Sequence, residues 1–158
     1  MKYPNFVRLI ICLAIPLLIG SISGYLTVQG LNGWYTTLVK PSFNPPNFIF
    51  GPVWTTLYLV MGISLYMIWS DRYSPFRNRA LVTFAVQLFL NFWWSILFFQ
   101  FHSPVTALGE IILMWFSILY MIVAFRKVKP IAAYIQIPYL LWVSFATILT
   151  ASIWWLNK

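Results

Sequence analysis

The chain has 158 residues, of which 61% are hydrophobic and 8% charged, against roughly 25% charge in an average soluble domain. A chain this apolar aggregates unless lipid covers it, which excludes a water-soluble globule, a disordered segment and a fibrous repeat. Ten Lys and Arg against two acids give +8, but the cations sit in short clusters between apolar runs, a pattern of membrane topology rather than of a nucleic-acid surface.

A spanning helix needs about 20 mainly apolar residues, and five stretches supply them: Phe6 to Val28, Asn47 to Trp69, Ala80 to Gln100, Pro104 to Phe125 and Ile131 to Trp155. The expected fold is therefore an all-α integral membrane protein, a five-helix bundle forming one domain over the whole chain. Leu81 to Phe99 is apolar nearly all round, which disfavours the alternating pattern of a barrel strand. The first stretch, basic at Lys2 and Arg8 and ending in small residues, also reads as a cleaved leader. Its uncharged run from Leu9 to Val28 is long enough to span, and Gly20 and Gly24 have the spacing of a close-packed helix face. Gly20-x-x-x-Gly24 and Ala80 to Ala85 are two candidate surfaces for self-association.

Five spans put Lys2, Arg8, Arg72, Arg77, Arg79, Arg126, Lys127 and Lys129 on one side and only Lys40 and Lys158 on the other. Eight against two places the N-terminus in the cytoplasm and the C-terminus outside. Between the first two spans, residues 29–46 form a connection of about 18 residues, longer than most helix-to-helix links. Its turn formers alternate with Trp34, Tyr35, Leu38 and Phe43, which a disordered linker would lack. It reads as a folded lid over the outer helix ends, with Lys40 near its edge; a loop lying on the headgroups is the alternative.

Helical spacing puts Phe50, Trp54 and Tyr58 on one face of the second span, Gln87, Asn91, Trp94 and Ser95 on one face of the third, and Tyr139, Trp142 and Ala146 on one face of the fifth. An amide facing lipid is costly, so Gln87 and Asn91 are expected to face inward. These stripes serve helix packing or a ligand cavity equally well. Glu110, about 9 Å from the outer end of the fourth span at 1.5 Å per residue, has to be paired, protonated or near water, and a structural hydrogen bond fits it better than a proton relay. The single cysteine, Cys12, and the single histidine, His102, lie at opposite ends of their spans, as do Asp71 and Glu110. No nucleophile and base, carboxylate pair or Cys/His metal set is therefore expected.

The pattern W-Y-x-x-L-x-K-P-x-F-x-P-P at Trp34 to Pro46, then G-P-V-W-x-x-L-Y at Gly51 to Tyr58, Q-x-x-x-N-x-x-W at Gln87 to Trp94 and P-Y-x-x-W-x-x-F-A-T at Pro138 to Thr147, resembles the TspO/MBR family. These are the tryptophan-rich sensory proteins of bacteria and the translocator proteins, or peripheral benzodiazepine receptors, of mitochondria. The resemblance implies a homodimeric five-helix bundle in a bacterial cell membrane. Its pocket would open under the first loop and bind tetrapyrroles such as protoporphyrin IX, with haem a further candidate, and synthetic isoquinoline carboxamide or benzodiazepine ligands. Trp54, Tyr58, Asn91, Trp94, Trp142 and Ala146 match pocket positions. Trp54 and Trp142 match tryptophans linked to light-dependent porphyrin breakdown, in which no intrinsic cofactor takes part and porphyrin is both ligand and photosensitiser. A tetrapyrrole or lipid carrier, or a ligand-sensing scaffold, is the alternative. The animal cholesterol pattern needs a Tyr before a terminal Lys or Arg, and Ala146 to Lys158 contains none.

Overall fold

The structure, a computed structural model, describes residues 5–158, and Lys2 of the charge count lies outside them. The elements are α1 (Asn5–Leu31), a 3-10 turn (Trp34–Thr37), α2 (Asn47–Ser70), α3 (Arg77–Ser95) running into a π-helical turn (Ile96–Gln100), α4 (Pro104–Val128), α5 (Pro130–Tyr134) and α6 (Ile137–Leu156). Among the described residues no strand forms, and five helical stretches are long and apolar enough to cross a membrane. In hydrocarbon a backbone must satisfy its own N–H and C=O groups, and a helix does so within one segment. Large apolar side chains remain exposed all round the bundle, among them Leu18 on α1, Val82 on α3, Phe116 on α4 and Leu141 on α6. An apolar belt of this extent needs lipid to cover it, and the chain is a multi-pass membrane protein.

Two boundaries depart from the sequence expectation. Helix α1 continues to Leu31, because nothing before Asn32-Gly33 interrupts it, so the connection to α2 is 32–46 rather than 29–46. The fifth span is not one rod: α5 ends at Tyr134 and α6 begins at Ile137. Pro138 lies in the first turn of α6, where its missing N–H is tolerated; it cannot continue the hydrogen-bond ladder from α5, and its ring clashes with the carbonyl four residues back. The buried Gln136 at the break bonds instead across to α2, its Nε2 donating to Val60 O (3.2 Å) and to Ser64 Oγ (2.6 Å). Ser64 Oγ in turn donates to Ala132 O (3.1 Å).

Helix α1 packs along α2, α3 along α4, and α4 along α6. The α1–α2 crossing is close at Gly62, where an added Cβ would lie 2.8 Å from Leu13 Cα. At the end of the bundle where α1 begins and α2 ends, Arg8 is buried, with its guanidinium 3.4 Å from Ser70 Oγ and 5.8 Å from the Trp69 ring centroid. Most of the core lies toward this end, around Met61, Phe84, Met114, Met121, Phe125 and Tyr139. A second cluster, toward the opposite end, joins Leu31, Tyr35, Phe98, Phe99, Leu149 and Ile153. Two contacts hold the α1–α2 connection to the bundle, and a third is internal to it. Trp34 stacks on His102 at 4.7 Å, Tyr35 Oη donates to Asn44 Oδ1 at 2.6 Å, and Val39 exchanges two 2.9 Å hydrogen bonds with the Asn157 amide at the end of α6. His102 has φ 51°, left-handed for a residue with a side chain, in the turn between α3 and α4.

Candidate functional site

A cavity of about 500 Å³ lies between α1, α2 and the C-terminal half of α3, within the range of about 300–1,000 Å³ for small-molecule sites. From α2 come Phe50, Trp54 and Tyr58, three turns of one face, and from α3 come Asn91, Trp94 and Ser95. The α1 wall includes the small residues Gly20, Ser23, Gly24 and Thr27. An added Cβ at Gly20 would collide with the Tyr58 ring, whereas at Gly24 nothing lies within 4 Å. Ser21, Gly24, Gly51 and Thr55 are exposed while Tyr58, Asn91 and Ser95 are buried, so the cavity opens sideways between α1 and α2 toward lipid.

Its floor is polar. Tyr58 Oη donates to Asn91 Oδ1 (2.7 Å), Asn91 Nδ2 donates to Tyr139 Oη (3.0 Å), and Tyr139 Oη donates to Gln87 Oε1 (2.9 Å). The chain links α2, α3 and α6 through side chains that are all buried, where an unpaired polar group would be costly. Aromatic rings stand on it: Trp54 stacks on Tyr58 at 5.6 Å and meets Tyr139 edge-on at 6.3 Å. Trp94 stacks on Phe98 at 5.4 Å.

Beyond Phe50, Trp54 and Trp94 lies a smaller cavity of about 30 Å³, walled on its far side by Tyr35, Trp142, Ala146 and Thr150. Phe50 meets Trp142 edge-on at 6.2 Å and so forms the partition between the two spaces. The indole nitrogens of Trp94 and Trp142 are buried and have no partner among the described residues. Burial pushes the Tyr35 hydroxyl up to about 12, against the opposing pull of its hydrogen bond to Asn44. Lys40 Nζ lies 4.8 Å from the Tyr35 ring centroid and donates to Leu38 O.

The residues singled out from sequence thus fall into four places. Phe50, Trp54, Tyr58, Asn91 and Trp94 border the large cavity; Gln87 and Tyr139 lie behind it in the hydrogen-bonded floor; Trp142 and Ala146 border only the small cavity. Of the connection, Tyr35 borders the small cavity, Trp34 and Leu38 pack on the cluster of Leu31, Phe98 and Leu149, and none of residues 32–46 borders the large one. Glu110 is buried, but neither carboxylate oxygen has a partner among the described residues, so the expected structural hydrogen bond is not made. The α1 wall was missed. Gly20, Ser23, Gly24 and Thr27 recur at i, i+3, i+4 and i+7, the spacing of a close-packed helix face; Gly20 meets the Tyr58 ring of α2, and the space beside Gly24 is open to the cavity.

The profile of the TspO/MBR family matches residues 12–156. The chain is 40% identical over 154 residues to the tryptophan-rich protein TspO of Chlorobaculum tepidum, covering 97% of this chain and 98% of the relative. It is 38% identical over 153 residues to the TspO of Archaeoglobus fulgidus, covering 97% and 99%, and 37% identical over 129 residues to the human translocator protein, covering 80% and 75%. With five apolar helices and a family match over nearly its whole length, the chain belongs to the TspO/MBR family.

Proposed function

We propose that the protein is a membrane receptor that binds tetrapyrroles such as protoporphyrin IX and haem, and benzodiazepine-site ligands, in the aromatic cavity between α1, α2 and α3. Bound porphyrin is broken down there under light and oxygen. The observation that carries the reading is the 500 Å³ cavity itself, with Trp54 and Trp94 as walls and a hydrogen-bonded Tyr58–Asn91 floor. It is large enough for a flat aromatic ligand and carries few polar groups, which fix orientation. An illuminated porphyrin supplies the excited-state chemistry, and the chain supplies oxidisable indoles beside it. Trp54 borders the cavity directly, whereas Trp142 is reached across Phe50, so Trp54 is the first redox neighbour and Trp142 the second. The same reading takes the protein as a homodimer with its N-terminus in the cytoplasm and its α1–α2 connection outside, controlling exchange by holding the outer helix ends together.

The test is an ultraviolet–visible titration with protoporphyrin IX in the dark, then under illumination. Trp54→Phe keeps the stacking surface and makes oxidation harder. It should retain affinity within about tenfold, or 1.4 kcal/mol, while degradation falls at least tenfold, and Trp142→Phe should have the smaller effect. Binding and degradation lost in equal proportion would reduce Trp54 to a shape role; unchanged degradation in the double variant would overturn the assignment. The lipid-side opening favours a second reading, a tetrapyrrole carrier, for which uptake into sealed proteoliposomes without ligand loss is the distinguishing result.

A further inference from the structure

At the inner end of the bundle, away from the cavity, α3 and α4 leave a shallow cleft lined by Phe76, Arg79, Tyr120, Val123, Ala124 and Lys127. Each cation is pinned over an aromatic ring of the other strand of the cleft. Arg79 Cζ lies 5.1 Å from the Tyr120 ring centroid and Lys127 Nζ 5.5 Å from that of Phe76, both within the roughly 6 Å reach of a cation–π contact. Two long flexible side chains are thereby held with little freedom left to lose, which is the condition for binding an anion at low entropic cost.

Neither cation has a carboxylate to pair with. The chain has two acids. Asp71 Oδ1 already accepts from the N–H groups of Tyr73 and Ser74 (3.2 and 3.1 Å), and Glu110 is buried in the outer half of α4. Helix α3 also starts without a side-chain cap, so its positive end lies beside Arg79.

Beyond the cations, exposed apolar residues follow along both helices. On α3, Arg79 is followed at helical spacing by the exposed Val82 and Val86; on α4, Lys127 is followed toward the bilayer interior by the exposed Val123, Tyr120 and Phe116. The seven helical steps from Lys127 to Tyr120 span about 10 Å, the distance from headgroup level into the acyl region.

From this we infer a binding site for one anionic phospholipid: its phosphate bridges Arg79 and Lys127, and an acyl chain lies along the α3–α4 seam. The charge matches a phosphodiester, the ligand is at hand in any membrane, and basic pockets between helices at a membrane face are suited to such headgroups. The seam decides between a lipid and a free phosphate, since only the lipid fills both parts.

The test is native mass spectrometry of the full chain, released from detergent after incubation with phosphatidylglycerol or with phosphatidylcholine of the same acyl chains. The wild-type protein should retain one phosphatidylglycerol with at least tenfold preference. The Arg79→Gln/Lys127→Gln variant should lose that preference, while Arg72→Gln/Lys129→Gln, which removes the same charge from the same end but leaves the cleft intact, should keep it. Size-exclusion elution and helical circular dichroism verify that each variant is folded, and Arg79→Lys provides a charge-conserving version expected to keep at least part of the preference. Equal loss in the cleft and control variants would show that net charge alone attracts the lipid and would overturn the site. Displacement of the bound lipid by millimolar inorganic phosphate would make the cleft a free-anion site and overturn the lipid assignment.

Discussion

Tyr139→Phe removes one oxygen from the centre of the bundle and leaves every ring contact in place. In the wild-type protein that oxygen accepts from Asn91 Nδ2 at 3.0 Å and donates to Gln87 Oε1 at 2.9 Å. Gln87 Nε2 has no partner among the described residues even then, so the variant leaves the Gln87 side chain with none. At about 1–3 kcal/mol for each buried group left unpaired, two losses give about 2–6 kcal/mol. Gln87 and Asn91 are one turn apart on α3, however, and a rotation lets Asn91 Nδ2 donate to Gln87 Oε1. Interhelical hydrogen bonds in membranes are also worth only about 0.6 kcal/mol on average, because the unfolded state in lipid finds partners too. Together these bring the expected destabilisation to about 1–2 kcal/mol, read from reversible denaturation in mixed micelles. Porphyrin affinity should stay within about threefold, or 0.7 kcal/mol, because Tyr139 lies behind the cavity and Phe keeps the edge contact with Trp54. The Tyr139→Phe/Gln87→Leu variant should be less destabilised than the sum of the single changes by about 0.5–1 kcal/mol, since the second substitution removes the group that the first orphans. A loss under about 0.3 kcal/mol with strict additivity would refute the view that this chain of hydrogen bonds ties α3 to α6.

Two further predictions concern the cavity wall and the connection. Gly24→Leu projects into open space, so it should weaken porphyrin binding at least tenfold, about 1.4 kcal/mol, without lowering stability; Gly20→Ala strikes the Tyr58 ring and should destabilise by about 1–3 kcal/mol, and equal behaviour of the two would contradict the cavity as the ligand site. Burial raises Tyr35 from its ordinary value of 10.0 to about 12, so the folded state keeps a proton that the unfolded chain releases: the stabilisation is complete below pH 10 and is lost as pH rises through 12. Tyrosinate absorbance should show a group titrating near 12 that Tyr35→Phe abolishes, and a wild-type titration unaltered by that substitution would contradict the packing of the connection.

How much of this was legible in the sequence depended on whether one residue's chemistry allowed a single environment. An amide in hydrocarbon has one affordable direction, so Gln87 and Asn91 could be placed inward without knowing their partners, and both are buried in the hydrogen-bonded floor. Uncharged run length set the five spans for the same reason. Small residues carry no such constraint. Gly20 and Gly24 suit a helix contact or a void equally, and only the Tyr58 ring across from Gly20 and the open space beside Gly24 decide between them. Pro138 was ambiguous in another way, being acceptable in the first turn of a helix as well as disruptive within one; the Gln136 bonds to α2 select the first. Trp142 shares its α6 face with Tyr139 and Ala146, and no periodicity reveals that Phe50, from another helix, stands between it and the larger cavity.

The setting of the cavity also determines what could be selective in it. Lipid already solvates an apolar ring, so moving such a ring from bilayer to cavity gains little from burial, and stacking adds about 0.5–1.5 kcal/mol per aromatic pair. Discrimination among flat ligands therefore rests on the few polar atoms in the walls. Tyr58 Oη spends its proton on Asn91, which leaves it an acceptor, while the Trp94 indole N–H has no acceptor among the described residues. A ring with an N–H or O–H for the first and a carbonyl or carboxylate for the second satisfies both, at about 0.5–1.5 kcal/mol for each hydrogen bond made. A hydrocarbon of the same outline satisfies neither and leaves the buried Trp94 N–H without a partner. Under the proposed function, the aromatic walls would admit many flat molecules from the membrane, and Tyr58 with Trp94 would decide which of them stay.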